Sequence, residues 1–125
     1  MNVADLEGPL LDYWVARVAQ LPKPRVDDGF CWIEEPACDG DPAGALEAAF
    51  APSTDWTHGG PVIERALICI GYSETHAWGA GPTGEAPHFR AYGATPLVAA
   101  MRFYVANRFG SEVPDEEQPA QPAAD

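Results

Sequence analysis

Two runs of apolar residues at helical spacing, each introduced by a proline, constrain this chain more than any other feature. In the first, Leu11, Trp14, Val15 and Val18 fall at i, i+3, i+4 and i+7 and draw one stripe along a helix. Pro9 suits the first helical turn, where a missing N–H loses no intrahelical partner, and Pro22 and Pro24 lie beyond the end. The pattern predicts a helix over about 9–19, with Asp12, Arg17 and Gln20 off the stripe and facing water. Burying its four apolar side chains, at roughly 1.5–3 kcal/mol each, makes this stripe a main anchor of the core. The second run starts with a Thr95 hydroxyl cap and Pro96, and carries Leu97, Ala100, Met101, Tyr104 and Val105 before Gly110 stops it. It predicts a helix over about 96–109.

Shorter elements fill the space between. Phe30-Cys31-Trp32-Ile33 reads as a strand, rich in aromatic and branched residues. Residues 34–51 are acidic and rich in Ala, Pro and Gly, which predicts a surface loop with one helical turn at 43–50. Residues 53–61 form a dense turn segment, and 62–72 read as the strongest strand, with apolar side chains on both faces. A turn at 72–75 is expected to return the chain as a hairpin strand at 76–80 around Trp78. Residues 79–93 read as a loop docked through Phe89 and Tyr92. The fold class is α+β: a small antiparallel sheet of about 3–4 strands packed with two main helices. One domain is expected over 1–112, followed by a disordered acidic tail over 113–125, whose Pro, Ala, Gln and acidic residues bury too little to order themselves.

Charge narrows the partners. Nineteen acids face seven bases, giving a formal charge of −12, and the excess persists when the tail is set aside. Duplex nucleic acid needs clustered cations to displace its counterions, and the seven bases are scattered, so it is not an expected partner. An acidic face fits docking on another protein instead. The longest apolar runs fall far short of the roughly 20 residues of a membrane span, and no targeting signal stands at the start. A cytoplasmic location is expected.

Cys31, Cys38 and Cys69 form an odd set without C-x-x-C spacing, which fits neither disulfides nor zinc. His58, His76 and His88 match no ligand spacing either. No metal or cofactor is expected. The most distinctive segment is 53–65, which gathers Asp55, Trp56, His58, Gly59, Gly60, Glu64 and Arg65. One reading makes the glycines a place where backbone N–H groups approach an anion, with Trp56 stacking on a planar group and Asp55 or Arg65 fixing its polar edge. The other makes the segment a capped turn with Trp56 as a core plug. A hydrolase built from Ser53 or Ser73 with His58 and Asp55 lacks the G-x-S-x-G elbow at either serine and is the weaker alternative. Trp14, Trp32, Trp56 and Trp78, with Tyr13 and Tyr104, line either a pocket or the core. This aromatic surplus in a short chain also makes a homodimer an expectation.

Three separated blocks carry a family resemblance: Leu11-Asp12-Tyr13-Trp14-Val15-Ala16-Arg17, the run from Pro52 to Arg65, and the run from Thr95 to Ala106. In order and content they resemble the NinX-like proteins, small phage and prophage proteins of unknown function. The departures lie in the 34–51 and 81–92 loops. His58 stands where the resemblance leads one to expect Gln, which argues against a catalytic imidazole. The resemblance implies a phage or prophage accessory protein acting in the bacterial host cell, and it supplies no activity. The expected role is a non-catalytic binding module for a small nucleotide-like ligand or a host factor. Asp55, Trp56, His58, Gly59, Gly60, Arg65 and Tyr13 are its candidate ligand-binding residues.

Overall fold

A computed structural model describes residues 1–35, 46–74, 77–83 and 89–114. After a 3-10 turn at Val3–Asp5 come α1 (Gly8–Val18), β1 (Arg25–Asp27), β2 (Phe30–Glu35) and β3 (Leu46–Ala49). They are followed by α2 (Trp56–Ala66), β4 (Ile68–Ser73), β5 (Ala77–Pro82), β6 (Ala91–Gly93) and α3 (Pro96–Phe109). The α+β class and the antiparallel pairing agree with the sequence, but the strands divide into two three-stranded sheets, β1-β2-β3 and β4-β5-β6. The additional strands, β1, β3 and β6, are only three or four residues long, too short to show an alternating pattern.

The two expected helices join the sheets. α1 packs on β2, α3 packs on β4, β5 and β6, and the helices pack on each other. Leu11, Trp14 and Val15 of the first stripe are fully buried beside Met101, Phe103 and Val105 of α3. The Trp14 ring meets Phe109 edge-on at 5.3 Å, a geometry that aligns the positive ring edge with a negative face. Thr95 accepts from the Val98 amide at 3.1 Å and so caps α3 as expected. Arg17 and Gln20 are exposed, but Asp12 is buried, contrary to expectation.

The largest revision concerns 53–72. Residues 56–66 form a helix where a turn and the start of a strand were expected, and the strand begins only at Ile68. Gly59, Val62 and Ile63 lie on its inner side, a helical spacing masked by the run of branched residues that follows. Asp55 supplies the start by accepting from the Thr57 amide at 2.9 Å. Pro61 lies inside the helix, at a cost of about 3 kcal/mol, so tertiary packing must override local preference. Gly59 is required by that packing. A Cβ there would lie 2.5 Å from the Pro52 carbonyl oxygen and 2.6 Å from Leu97 Cδ2. Leu67 then ends the helix in the left-handed conformation, at φ 56°.

β4 and β5 pair as a hairpin, with Ile70 opposite Ala80 and Tyr72 opposite Trp78. Gly71 and Gly79 present a bare surface on the other face, where the Phe89 ring lies against both. The expected docking of Phe89 is therefore seen, although β5 and β6 occupy part of the anticipated loop. Leu46–Ala49 is a strand, so the helical turn expected at 43–50 is absent from its described part, and 36–45 lie outside the described residues. Val113, assigned to the tail, is buried, and its amide donates to the Met1 carbonyl at 2.9 Å. The remaining tail beyond Pro114 lies outside the described residues. None of the described helices is long and apolar enough to cross a membrane.

Candidate functional site

The seven candidate residues do not converge. Asp55, Trp56, His58, Gly59 and Gly60 sit at the start of α2, whereas Arg65 lies in its last turn, about 14 Å along the axis from Trp56 at 1.5 Å per residue. Arg65 is close enough to Tyr104 for its charge to oppose the rise in that phenol's pKa caused by burial. Tyr13 is buried in α1, and its hydroxyl accepts from Arg17 Nη1 at 2.7 Å.

Around α2, the polar groups hold the backbone in place. Asp55 caps the helix. His58 Nδ1 accepts from the Ala51 amide at 2.9 Å, which places the proton of a neutral ring on Nε2. Its ring lies over Phe50 at 5.6 Å. Ser53 is sealed at 1% exposure, so no substrate reaches its hydroxyl, and the Ser53–His58–Asp55 hydrolase has no accessible nucleophile. Trp56 differs from the others. It is 55% exposed, so it is no core plug, and with Thr54, Thr95 and Val98 it borders a 250 Å³ cleft between the starts of α2 and α3.

The sequence reading missed Asp12. Its Oδ1 accepts from the Ser53 amide at 2.8 Å, tying α1 to the segment that leads into α2. Burial pushes its pKa up to about 6, opposed by hydrogen bonding from Ser53. The Ser53 hydroxyl is buried beside it with no partner other than Asp12. Cys31 is also near, and burial together with the Asp12 charge raises its thiol to about 12. A thiol so held is protonated at neutral pH and is a poor nucleophile. Among the described residues no group of three His, Cys, Asp or Glu is placed to hold a metal.

A second cleft, of 490 Å³, opens between the amino-terminal 3-10 turn, β6 and α3. Its lining includes Val3, Ala4, Arg90, Tyr92, Arg102 and Ala106. Arg102 is half-buried, with Nε donating to the Leu6 carbonyl and Nη1 to the Tyr92 carbonyl, both at 2.8 Å. Periodicity marked the face of α3 on which its apolar residues lie, but it carried no sign that an arginine between them would be clasped by two distant carbonyls.

The family model described as Bacteriophage P22, NinX matches residues 2–108. No curated protein matches the chain.

Proposed function

Since the chain belongs to the Bacteriophage P22 NinX family, we propose that this phage-derived protein acts in the host cell as a non-catalytic binding module for a small, nucleotide-like ligand. The observation that carries the reading is the contrast within one segment. Asp55, His58 and Ser53 are turned to structural work, while Trp56 stays exposed beside a cleft. A large indole left in water at a helix start offers a stacking surface for a planar group, and the neighbouring cleft gives that group somewhere to sit.

A thermal-shift screen against nucleotides, cyclic dinucleotides and nicotinamide derivatives tests this. A ligand at 100 times its dissociation constant adds about 2.7 kcal/mol, enough to raise the melting temperature by several degrees. Trp56→Ala should abolish the shift while leaving the unliganded melting temperature within about 1 °C, because surface substitutions usually change stability little. A flat screen, or a shift that survives Trp56→Ala, refutes the reading.

The charge of −12 favours a second reading, docking on a basic face of a host or phage protein. Association through charge weakens as salt rises. A complex that forms equally at low and high salt would remove this alternative.

A further inference from the structure

We infer that the cleft between the amino-terminal 3-10 turn, β6 and α3 binds a small molecule that joins one oxyanion group, a carboxylate or a phosphate, to an apolar body. The inference stands apart from the Trp56 cleft, with which this one shares no lining residue.

Arg102 carries the argument. Its guanidinium is half-buried and fixed at two points by the carbonyls of Leu6 and Tyr92. These carbonyls use Nε and one N–H of Nη1, so N–H donors remain on Nη1 and Nη2. The ion pairs among the described residues involve Lys23 and Arg25, and none involves Arg102. Arg102 is thus a partly desolvated guanidinium with no carboxylate in ion-pair range among the described residues. Partly desolvated cations gain most from an anion that accepts through charge-assisted hydrogen bonds. Because two carbonyls already hold the side chain, little rotamer freedom would be lost when an anion arrives.

The rest of the cleft selects the body of the ligand. Val3, Ala4, Ala91 and Ala106 give it apolar walls, and Arg90 adds a second cation to the lining. The volume of 490 Å³ falls in the usual range for small-molecule pockets. The wall formed by the amino terminus is itself secured. Val3 N donates to Ser111 O, and Met1 and Val113 exchange backbone hydrogen bonds at 3.0 and 2.9 Å.

The test uses the full chain and three probes with one apolar body: 1-naphthoate, 1-naphthyl phosphate and neutral 1-naphthamide. Two-dimensional ¹⁵N NMR reads the Arg102 Nε–H and the amides of Val3 and Ala106. Saturable shifts at these groups with either anion, and not with the amide, are expected. Preference for the carboxylate or for the phosphate identifies the oxyanion. Ala106→Leu fills the cleft and removes neither carbonyl that holds Arg102, and should weaken binding about tenfold or more with the Arg102 Nε–H signal kept. Arg102→Gln should abolish it, and its melting temperature separates lost binding from lost fold. Three results would each overturn the inference: no shift with either anion at millimolar concentration, equal shifts with the neutral amide, or binding indifferent to Ala106→Leu. Shifts confined to the Trp56 indole would also overturn it, while leaving the reading of the other cleft intact.

Discussion

Replacing Asp12 by Asn should stabilise this protein at neutral pH, although it alters a buried side chain that holds two elements together. Asp12 is 4% exposed, and burial raises its pKa from 3.8 to about 6. A raised folded-state pKa means that the fold disfavours the ionised carboxylate. Its penalty is absent below the unfolded value, grows as pH rises from about 4 to about 6, and is constant above. At 1.36 kcal/mol per unit the full penalty is about 3 kcal/mol. The Asp12→Asn amide keeps an oxygen to accept from the Ser53 N–H, and its new N–H group can donate to the Ser53 hydroxyl oxygen, which is buried with no partner other than residue 12. Asp12→Ala does the opposite: it strands the Ser53 N–H, at roughly 1–3 kcal/mol, and adds a cavity. Denaturant unfolding of the parent and both variants between pH 4 and pH 8 reads this directly, because other titrating groups cancel in the difference. The Asp12→Asn variant should gain on the parent steadily from pH 4 to pH 6, then hold a lead of a few kcal/mol. At pH 8 this corresponds to a melting temperature higher by on the order of 10 °C. A difference that is flat with pH, or an Asp12→Asn variant less stable than the parent at pH 8, would refute the reasoning.

Two adjacent glycines should answer differently to the same change. Gly59→Ala drives a methyl group into the Pro52 carbonyl and Leu97, and overpacking of this kind costs about 1–3 kcal/mol. Gly60→Ala meets nothing within 4 Å beyond its own neighbours in the helix and should be near neutral, alanine's helix preference being offset by the crowding of a Cβ before Pro61; thermal melts of the pair decide it. Cys31, whose thiol is pushed up to about 12 within a buried site, should resist alkylation at pH 8 until the chain unfolds. Cys69, only half-buried, should be modified sooner. Peptide mapping by mass spectrometry after timed labelling follows each site, and rapid labelling of Cys31 in the folded protein would contradict its placement.

How much of this was legible in the chain depended on how local the cause was. The ends of α3 are set by a Thr95 side chain that bonds its own helix and by Gly110 at φ 88°, and both act within a few residues. The candidate site was harder. Asp55 and His58 are candidates for ligand contact on the ground that they lie close in sequence to Trp56, yet each bonds to the backbone beside it. Trp56 was the one residue for which the two sequence readings made opposite demands on burial, and its exposure favours the surface reading.

The sequence by itself determined the two anchoring helices, the hairpin of β4 and β5, the α+β class and the family. The elements follow from periodicity, caps and breakers, which operate through neighbours in the chain, and the family from the resemblance of three separated sequence blocks. Tertiary structure alone decided that residues 56–66 coil rather than extend, because the gain lies in packing Gly59 against Pro52 and Leu97 despite Pro61. It alone decided that Asp12 is buried, because a polar residue off the stripe is hidden only when another segment folds over it. The same holds for Arg102, whose partners Leu6 and Tyr92 lie 96 and 10 residues away. A pattern within one helix records which face is apolar, whereas the carbonyls and clefts that meet its polar residues come from elsewhere in the chain.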